Sequence, residues 1–429
     1  MRISPNSTAR GLLGVAVASA LLVASTGAAT ATGASGTSVA PTTMATAYTK
    51  TSADLRIATA LTSRVTTARF GTSFSGAVLD AASNTTIWRK NGDTAYKPAS
   101  TNKLVTASNA LTLWGPETRF TTRVRSGSAA NRVVLQGSGD PSLSSANLDA
   151  LATTTARWML DRRITSVRVY VDDDVFPTPS LAYGWKESYV PDSISPIRAL
   201  VRDQRKSSDT SAEAARYFRD RLEAHGITTA GYYGRANAAT TSTIIASSKG
   251  AVLSTIVSRM LLNSDNEIAE ALHKMIGRKL GYGASWSAAR SAQAYELGVQ
   301  GLKATALYDG SGLSRADRIT GMQLARIVDR GVDPEYGAKL WPLQSAQAMP
   351  TAGRTGTLAS RFTTTASDCA VGKVWAKTGT LSDVVSLAGF TKGTDGRVKV
   401  FAFLVNGKTS SSTLKGYVDM LAATVNGCY

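Results

Sequence analysis

Three short motifs follow one another along the chain and carry residue types that could perform nucleophilic catalysis. They are Ser100-Thr-Asn-Lys103, Ser264-Asp-Asn266 and Lys377-Thr-Gly379. A serine hydroxyl is a weak nucleophile and needs a base within hydrogen-bond reach. A lysine can be that base if burial or a neighbouring positive charge lowers its pKa.

Each motif alone is weak evidence. The S-x-x-K pattern also occurs at Ser412 to Lys415, where a helix N-cap is predicted, and S-x-N also occurs at Ser4 and Ser145. The predicted elements and the order of the motifs are more informative. Only one placement puts S-x-x-K on a helix, then S-x-N in a helical loop, then K-T-G on a strand.

The predicted elements bring the reacting side chains together. Ser100 and Lys103 are three residues apart at the start of a segment with helical periodicity, so they should lie on one side of a helix. Ser264-Asp-Asn266 interrupts the helical periodicity of residues 251–275.

Lys377-Thr-Gly379 is predicted to lie on a strand that pairs with residues 384–388 after a turn near 382–383. On that strand Lys377 and Thr378 would offer an ammonium group and a hydroxyl to a carboxylate. Gly379 has no side chain, so a ligand backbone could lie close to the strand.

The length and the first residues predict the organisation of the chain. At 429 residues, two or three domains are expected. Residues 1–31 combine a basic start, an apolar run and a small-x-small site, which is typical of a secretory signal peptide. Residues 32–48 are predicted to be a flexible lead-in. No later window approaches the roughly 18 apolar residues of a membrane span, so a soluble, exported protein is expected.

The pattern after the first motif predicts an insertion. Residues 119–245 contain short β-like runs separated by turn residues, with one helical segment at 211–224. The sequence therefore predicts an inserted β-rich domain at 119–245, and a catalytic domain built from 49–118 and 246–429.

The charge of the chain favours anionic partners. The net charge is +18, and removal of Arg2 and Arg10 with the signal peptide leaves +16. The basic residues are scattered, without a run of five and without a zinc or helix-turn-helix pattern, so nucleic acid is not expected. Export favours anionic wall polymers as electrostatic partners. A solvated basic surface without a specific partner is the alternative.

Two features of the sequence do not point to a site. Asp172-Asp173-Asp174 lacks further metal-ligand spacing, so a solvated turn is predicted there and no metal is expected. The chain has two histidines, His225 and His273, and neither lies in a G-x-S-x-G or oxyanion context, which argues against a Ser-His-Asp hydrolase. Both are expected on a helix surface or partly buried.

The ordered motifs resemble those of the low-molecular-mass class C penicillin-binding proteins, the D-Ala-D-Ala carboxypeptidase/endopeptidases of the penicillin-binding protein 4 type. The resemblance covers nearly all of the mature chain and includes the segments 137–143, 309–315 and 352–358. It implies an α/β (α+β) transpeptidase/β-lactamase-like fold, in which helices flank a five-stranded antiparallel sheet and an insertion separates the first two motifs.

The same resemblance implies an exported serine DD-peptidase that cleaves D-Ala-D-Ala in peptidoglycan stem peptides, and also cross-links between D-Ala and a diamino acid. β-Lactams would acylate it. Ser100 would be the nucleophile and Lys103 its base, kept neutral with the help of a positive Lys377. Ser264 would relay a proton to the leaving amine, and Asn266 would bind the substrate amide and hold Lys103.

The K-T-G strand would supply the remaining substrate contacts, as the resemblance implies. Lys377, Thr378 and Gly379 would bind the substrate, with the first two anchoring its terminal carboxylate. The backbone N–H groups of Ser100 and Thr380 would form the oxyanion hole. No metal or organic cofactor is implied.

Three departures from the family pattern limit the match, and the last two concern substrate choice rather than the reaction. The interval of 164 residues from Ser100 to Ser264 is short, so one of two usual inserted domains is expected to be reduced or absent. Thr355 stands where the family tends to have Asp. Residues 198–204 lack the Asn usually found near the end of that segment.

Two alternatives share the three motifs. A serine β-lactamase would need a residue that positions deacylating water, and no E-x-x-L-N segment occurs between the second and third motifs. A non-catalytic wall-binding protein on the same fold would not need all the reacting residues, which are present.

The two cysteines, Cys369 and Cys428, are expected to form a disulfide. Export into an oxidising compartment and an even count suggest a bridge. In the family's fold the C-terminal helix packs beside the K-T-G strand, so the resemblance implies that the two could approach. Two free buried thiols are the alternative.

Overall fold

The computed structural model describes residues 49–302 and 306–429. The predicted signal peptide and lead-in lie outside the described residues. Within the described ranges, no helix is long and apolar enough to cross a membrane.

The strands are numbered in chain order: β1 Ser73–Asp80, β2 Thr85–Lys90, β3 Ala95–Tyr96, β4 Arg119–Ser126, β5 Arg132–Gln136, β6 Ser166–Asp172, β7 Thr228–Arg235, β8 Ile244–Val252, β9 Ile319–Thr320, β10 Val374–Leu381, β11 Val384–Lys392 and β12 Val398–Asn406. The α-helices are α1 Ser52–Arg64, α2 Thr67–Phe70, α3 Lys103–Trp114, α4 Ser145–Leu160, α5 Thr210–Ala224, α6 Leu253–Asn263, α7 Asn266–Lys279, α8 Trp286–Val299, α9 Gly321–Val332, α10 Pro334–Leu340 and α11 Ser412–Asn426.

The main sheet has five antiparallel strands in the order β10-β11-β12-β1-β2. This confirms the predicted antiparallel sheet flanked by helices. The K-T-G strand, β10, lies at one edge of this sheet, and the start of its outer side pairs with residues 350–352 through an isolated bridge between Thr351 and Trp375. The predicted turn at 382–383 joins it to β11.

Helices cover both faces of this sheet. Alternate residues of β12 point to opposite faces. Phe401 and Phe403 pack in a core with α1 and α11, whereas Val400 and Ala402 pack in a second core with α3, α6, α7 and α9. Burial on both faces explains why β11 and β12 lack a polar side. The second core carries the helices of the first two motifs.

A second five-stranded sheet, in the order β7-β6-β5-β4-β8, forms the insertion. β4 is antiparallel to β5 and β8, whereas β6 is parallel to β5 and β7. The structure adds α4 to the predicted helix at 211–224, and both helices pack on the sheet through residues such as Leu148, Leu151 and Phe218. Threonines at 153–155 lower the helix propensity of α4, and its capping box and burial offset that effect.

The sheet of the insertion extends past the predicted boundary. β8 pairs with β4 as far as Val252, seven residues beyond position 245. In the other direction, Ile194, Ile197 and Ala199 pack in the core that contains α3 and α7. We propose that the insertion spans 119–252 and that a segment around 194–199 belongs to the catalytic core.

The acidic run at the end of β6 differs from the predicted solvated turn. Asp173 is buried and accepts hydrogen bonds from Arg198 and Arg235, and Asp172 is also buried, whereas Asp174 is exposed. The run is therefore largely a buried ion-pair cluster, because two arginines compensate the desolvated Asp173 carboxylate.

Within the described residues, neither histidine forms a hydrogen bond with a residue of the three motifs. His225 follows α5 and contacts Thr153. The expectation of a surface or partly buried His273 was wrong: it is fully buried on α7 beside Trp286. At the second S-x-x-K match, Ser411 caps α11, one residue before the predicted Ser412.

Candidate active site

Ser100 and Lys103 lie on one side of a single turn, as predicted. Residues Ala99–Asn102 form a 3-10 turn that continues into α3. The Nζ atom of Lys103 lies 2.9 Å from Ser100 Oγ. Ala99 has a left-handed φ of 48°, and its carbonyl packs on Gly312, where a β-carbon would approach to 1.9 Å. Tight packing therefore holds a strained turn that presents the serine.

Lys103 is fully buried and has three oxygen partners. Its Nζ contacts Ser100 Oγ, Asn266 Oδ1 at 2.8 Å and the Ser311 carbonyl at 2.8 Å. Three acceptors match the donors of an ammonium group. In the neutral amine, two donors can keep Asn266 and Ser311 while the lone pair faces the serine hydroxyl.

Glu270 holds the loop that contacts Lys103, and the sequence did not predict this role. Its carboxylate accepts backbone hydrogen bonds of 2.8 Å from Gly310 and Ser311, so it holds the loop whose carbonyl contacts Lys103. Asn266 and Glu270 are four residues apart on α7 and share one helix face. That spacing after S-x-N is the signal by which the sequence could have indicated Glu270.

The second motif forms the turn between α6 and α7. Ser264 adopts a left-handed φ of 57° after α6, and Asp265 caps α7 through the N–H of Ile268. Ser264 accepts a hydrogen bond of 3.0 Å from Lys377 Nζ, while Asn266 turns to Lys103. The turn thus links β10 with α3.

The K-T-G strand contributes a buried lysine and a threonine. Lys377 Nζ also donates to the carbonyl of Thr378 at 2.8 Å, and Thr378 Oγ1 donates to Thr357 Oγ1 at 2.8 Å. Thr357 belongs to the 352–358 segment. Thr355, the departure noted in that segment, instead accepts from the N–H of Thr351.

Packing inside the protein gives a reason for a glycine at position 379 that the sequence did not indicate. A β-carbon there would lie 2.6 Å from the carbonyl oxygen of Pro98 and 3.1 Å from the nitrogen of Ser100. The missing side chain therefore makes room for the protein's own turn at 98–100. This packing brings the backbone of β10 against Ser100, and Thr380, the next residue of the strand, is exposed.

Burial controls the charges of the site. Burial lowers the pKa of Lys103 to about 8, while the Glu270 and Asp309 carboxylates oppose that shift. Burial and the nearby Lys103 charge lower the pKa of Lys377 well below its usual range. Burial, together with the charge of Asp309, raises the pKa of Glu270 to about 8. Of the two causes that the sequence suggested, burial and a neighbouring positive charge, burial is thus the main cause of the lowered Lys103 pKa.

A disulfide joins Cys369 and Cys428, with 6.3 Å between their Cα atoms. Cys369 lies in a short turn before β10, and Cys428 follows α11. The bond therefore attaches the chain end to the segment that leads into the K-T-G strand.

The chain matches the model of the D-Ala-D-Ala carboxypeptidase 3 (S13) family over residues 57–205 and 193–425. A carboxypeptidase of Mycobacterium tuberculosis is 32% identical over 77% of this chain and 76% of the relative. Carboxypeptidase DacB of Mycolicibacterium smegmatis is 29% identical over 87% of this chain and 84% of the relative.

A solved structure shares the fold. Penicillin binding protein 4 of Haemophilus influenzae superposes with a TM-score of 0.72 at 20% identity, over 84% of this chain and 98% of that protein. The family match spans both sheets and all three motifs. The chain therefore belongs to the D-Ala-D-Ala carboxypeptidase 3 (S13) family.

Proposed function

We propose that the protein is a serine D-Ala-D-Ala carboxypeptidase that works through an acyl-enzyme on Ser100. One observation carries the proposal: Lys103 Nζ lies within hydrogen-bond distance of both Ser100 Oγ and Asn266 Oδ1 in a buried site. A nucleophile, its base and the group that orients the base are thus assembled. The family and its carboxypeptidase-named relatives support the same activity.

Acylation begins when neutral Lys103 takes the Ser100 proton. Ser100 Oγ then bonds to the carbonyl carbon of the penultimate D-Ala, and the backbone N–H groups of Ser100 and Thr380 stabilise the oxyanion. The C–N bond breaks as the amine of the terminal D-Ala receives a proton through Ser264. Water later attacks the ester and releases the shortened peptide.

Lys377 and Thr378 anchor the carboxylate of the terminal D-Ala. A carboxylate beside Lys377 favours the ammonium form and raises its depressed pKa. The recharged Lys377 in turn disfavours a charge on Lys103. Substrate binding therefore helps to keep the base neutral when it is needed. No step uses a metal or an organic cofactor.

Peptidoglycan stem peptides are the proposed substrates, and cross-links between D-Ala and a diamino acid are the proposed second target. β-Lactams are covalent inhibitors that mimic the D-Ala-D-Ala end. The proposed substrate and the predicted signal peptide support an activity outside the cytoplasm, in the envelope or as a secreted protein. The charge of +16 after removal of residues 1–31 supports contact with anionic wall polymers.

Two measurements test the proposal with the mature protein. A fluorescent penicillin should label it covalently, and a peptide that ends in D-Ala-D-Ala should release D-Ala. Absence of both reactions would contradict the proposal, and rapid loss of the label would favour a β-lactamase. Mass spectrometry of digested peptidoglycan then separates carboxypeptidase products from cleaved cross-links.

A further inference from the structure

A cavity of about 560 Å³ lies outside the three motifs. It is lined by the start of α8, by residues near 177–183 and by the segment before Asp309. The side chains that matter here are Tyr183, Lys274, Trp286, Arg290 and Tyr308. The volume falls in the range of small-molecule sites, and none of the catalytic side chains lines it.

The aromatic rings of the cavity are held by mutual contacts. The rings of Tyr183 and Tyr308 have centroids 4.8 Å apart, and the Arg290 guanidinium lies 4.1 Å from the Tyr308 centroid. Lys274 Nζ lies 3.8 Å from the ring centroid of Trp286. The wall therefore combines apolar ring faces with two cations that the rings attract.

Neither cation forms an ion pair with a residue in the described part of the chain. Lys274 is 4% exposed, and its Nζ donates one hydrogen bond, of 3.0 Å, to the carbonyl of Ala284. Buried charges are normally paired, because desolvation of a single ion is costly. The described lining contains no carboxylate but contains hydroxyls at Thr178, Ser180, Ser285 and Ser287. Burial lowers the pKa of Lys274 to about 8, and the Glu270 carboxylate opposes that shift. An anion in the cavity would likewise favour the charged form of Lys274 and would pair with the exposed Arg290.

The cavity is connected to the catalytic loop. Trp185 packs on Trp286 at 5.1 Å between centroids and donates a hydrogen bond of 2.7 Å to Asp309. Tyr308 is three residues from Ser311, whose carbonyl contacts Lys103. Three residues span at most about 11 Å, so a ligand here would lie near the loop that positions the base.

We infer that this cavity binds one saccharide ring that carries a carboxylate or a phosphate. The apolar C–H face of a pyranose would pack on the ring of Tyr183, which is 69% exposed, and its hydroxyls would bond with the serine and threonine hydroxyls of the lining. Lys274 and Arg290, neither of which forms an ion pair within the described residues, would select the anionic substituent. The choice of a saccharide rests on the proposed function, because peptidoglycan and its attached polymers consist largely of sugars.

Binding of simple sugars to the mature protein tests the inference without catalysis. Calorimetry compares N-acetylmuramic acid, N-acetylglucosamine 6-phosphate and neutral N-acetylglucosamine. At least one anionic sugar should bind at least about tenfold more tightly than the neutral one. Tighter binding of the carboxylate points to glycan strands, and tighter binding of the phosphate points to a phosphate-bearing wall polymer. Equal affinity for neutral and anionic sugars, or no binding of any, would overturn the inference.

Substitutions of lining residues then test whether the sugar binds in this cavity. Arg290→Ala should weaken binding of the anionic sugar at least about tenfold and leave penicillin acylation unchanged. Tyr183→Ala, at a position 69% exposed, should weaken all sugar binding without affecting folding. Arg168→Ala is the matched control, because Arg168 is an exposed arginine stacked 5.0 Å from Tyr233 in the insertion. Unchanged sugar binding in Arg290→Ala would refute the assignment of the sugar to this cavity.

Absence of penicillin labelling in the wild type would instead contradict the proposed function and leave the sugar-binding result to be judged separately.

Discussion

Lys377 on β10 donates a hydrogen bond of 3.0 Å to Ser264 Oγ in the turn between α6 and α7. Two residues later, Asn266 of the same turn accepts a hydrogen bond from Lys103 on α3. One tight turn thus contacts both buried lysines of the site. The turn therefore fixes the position of both lysine side chains and of the Ser264 hydroxyl, the group proposed to pass a proton to the leaving amine.

Replacement of the nucleophile should abolish the reaction. Ser100→Ala removes the hydroxyl that Lys103 contacts, so we expect penicillin labelling and D-Ala release to fall at least about 10³-fold. Gel fluorescence after labelling and a D-Ala assay measure the two losses.

The second S-x-x-K match provides the control for that variant. Ser412→Ala alters the first turn of α11, which lies outside the three motifs, and should retain labelling. Labelling that persists in Ser100→Ala and disappears in Ser412→Ala would show that the nucleophile was assigned to the wrong motif.

Acylation should accelerate with increasing pH. Burial lowers the pKa of Lys103 to about 8, and only the neutral amine can accept the Ser100 proton. The second-order rate constant for penicillin should rise about tenfold per pH unit below pH 8 and level off above it. Stopped-flow measurement from pH 6 to pH 9 gives the profile. A rate independent of pH across that range would exclude Lys103 as the base.

Glu270 should act as a positioning residue. Glu270→Gln keeps one acceptor for the loop N–H groups but places an amide N–H against the other, so acylation should slow about tenfold or more. The Glu270 carboxylate raises the pKa of Lys103. Its removal should therefore shift the midpoint of the pH profile to a value below about 8.

The shifted midpoint distinguishes positioning from a general loss of stability. Glu296→Gln, at another buried glutamate on α8, is the matched control and should leave the midpoint unchanged. If Glu270→Gln only lowers the melting temperature, with the rate and midpoint of the folded fraction as in the wild type, Glu270 has no role in catalysis.

Loss of Lys377 should weaken the selection of a free carboxylate. Lys377→Ala removes the ammonium proposed to bind the terminal D-Ala carboxylate. The preference for the free-acid peptide over its amide should fall about tenfold or more, mainly through cleavage of the free acid. Parallel kcat/KM measurements on the two peptides give the ratio. Equal cleavage of both peptides by the wild type would refute the anchoring role.

The main sheet and the meeting of the motifs could be predicted because their signals are local. A helix brings Ser100 and Lys103 together through spacing alone, and the apolar strand pattern around Lys377 predicts β10 and β11. The order of the three motifs then supplied the fold by resemblance. These steps required no knowledge of distant contacts.

The missed features depend on tertiary packing. Position 379 requires a residue without a side chain because the turn at 98–100 packs on it, and no local sequence pattern indicates that contact. Glu270 reaches a loop about 40 residues downstream. Likewise, α4 has threonines that disfavour a helix in isolation, and burial on the inserted sheet overrides this preference. Desolvation of Lys103 is also a property of the assembled core.

The disulfide between Cys369 and Cys428 should stabilise the catalytic strand. The two residues are 59 apart in the chain, and closing a loop of that length stabilises the folded state by about 4 kcal/mol in the chain-entropy account. The double variant Cys369→Ser/Cys428→Ser should therefore unfold at a lower denaturant concentration. Acylation should decline before global unfolding, because β10 loses its anchor to the chain end.

Thiol titration of the denatured, unreduced wild type should detect no free thiol. Two free thiols would disprove the bond in the native protein, and a double variant as stable as the wild type would show that the bond does not stabilise the fold.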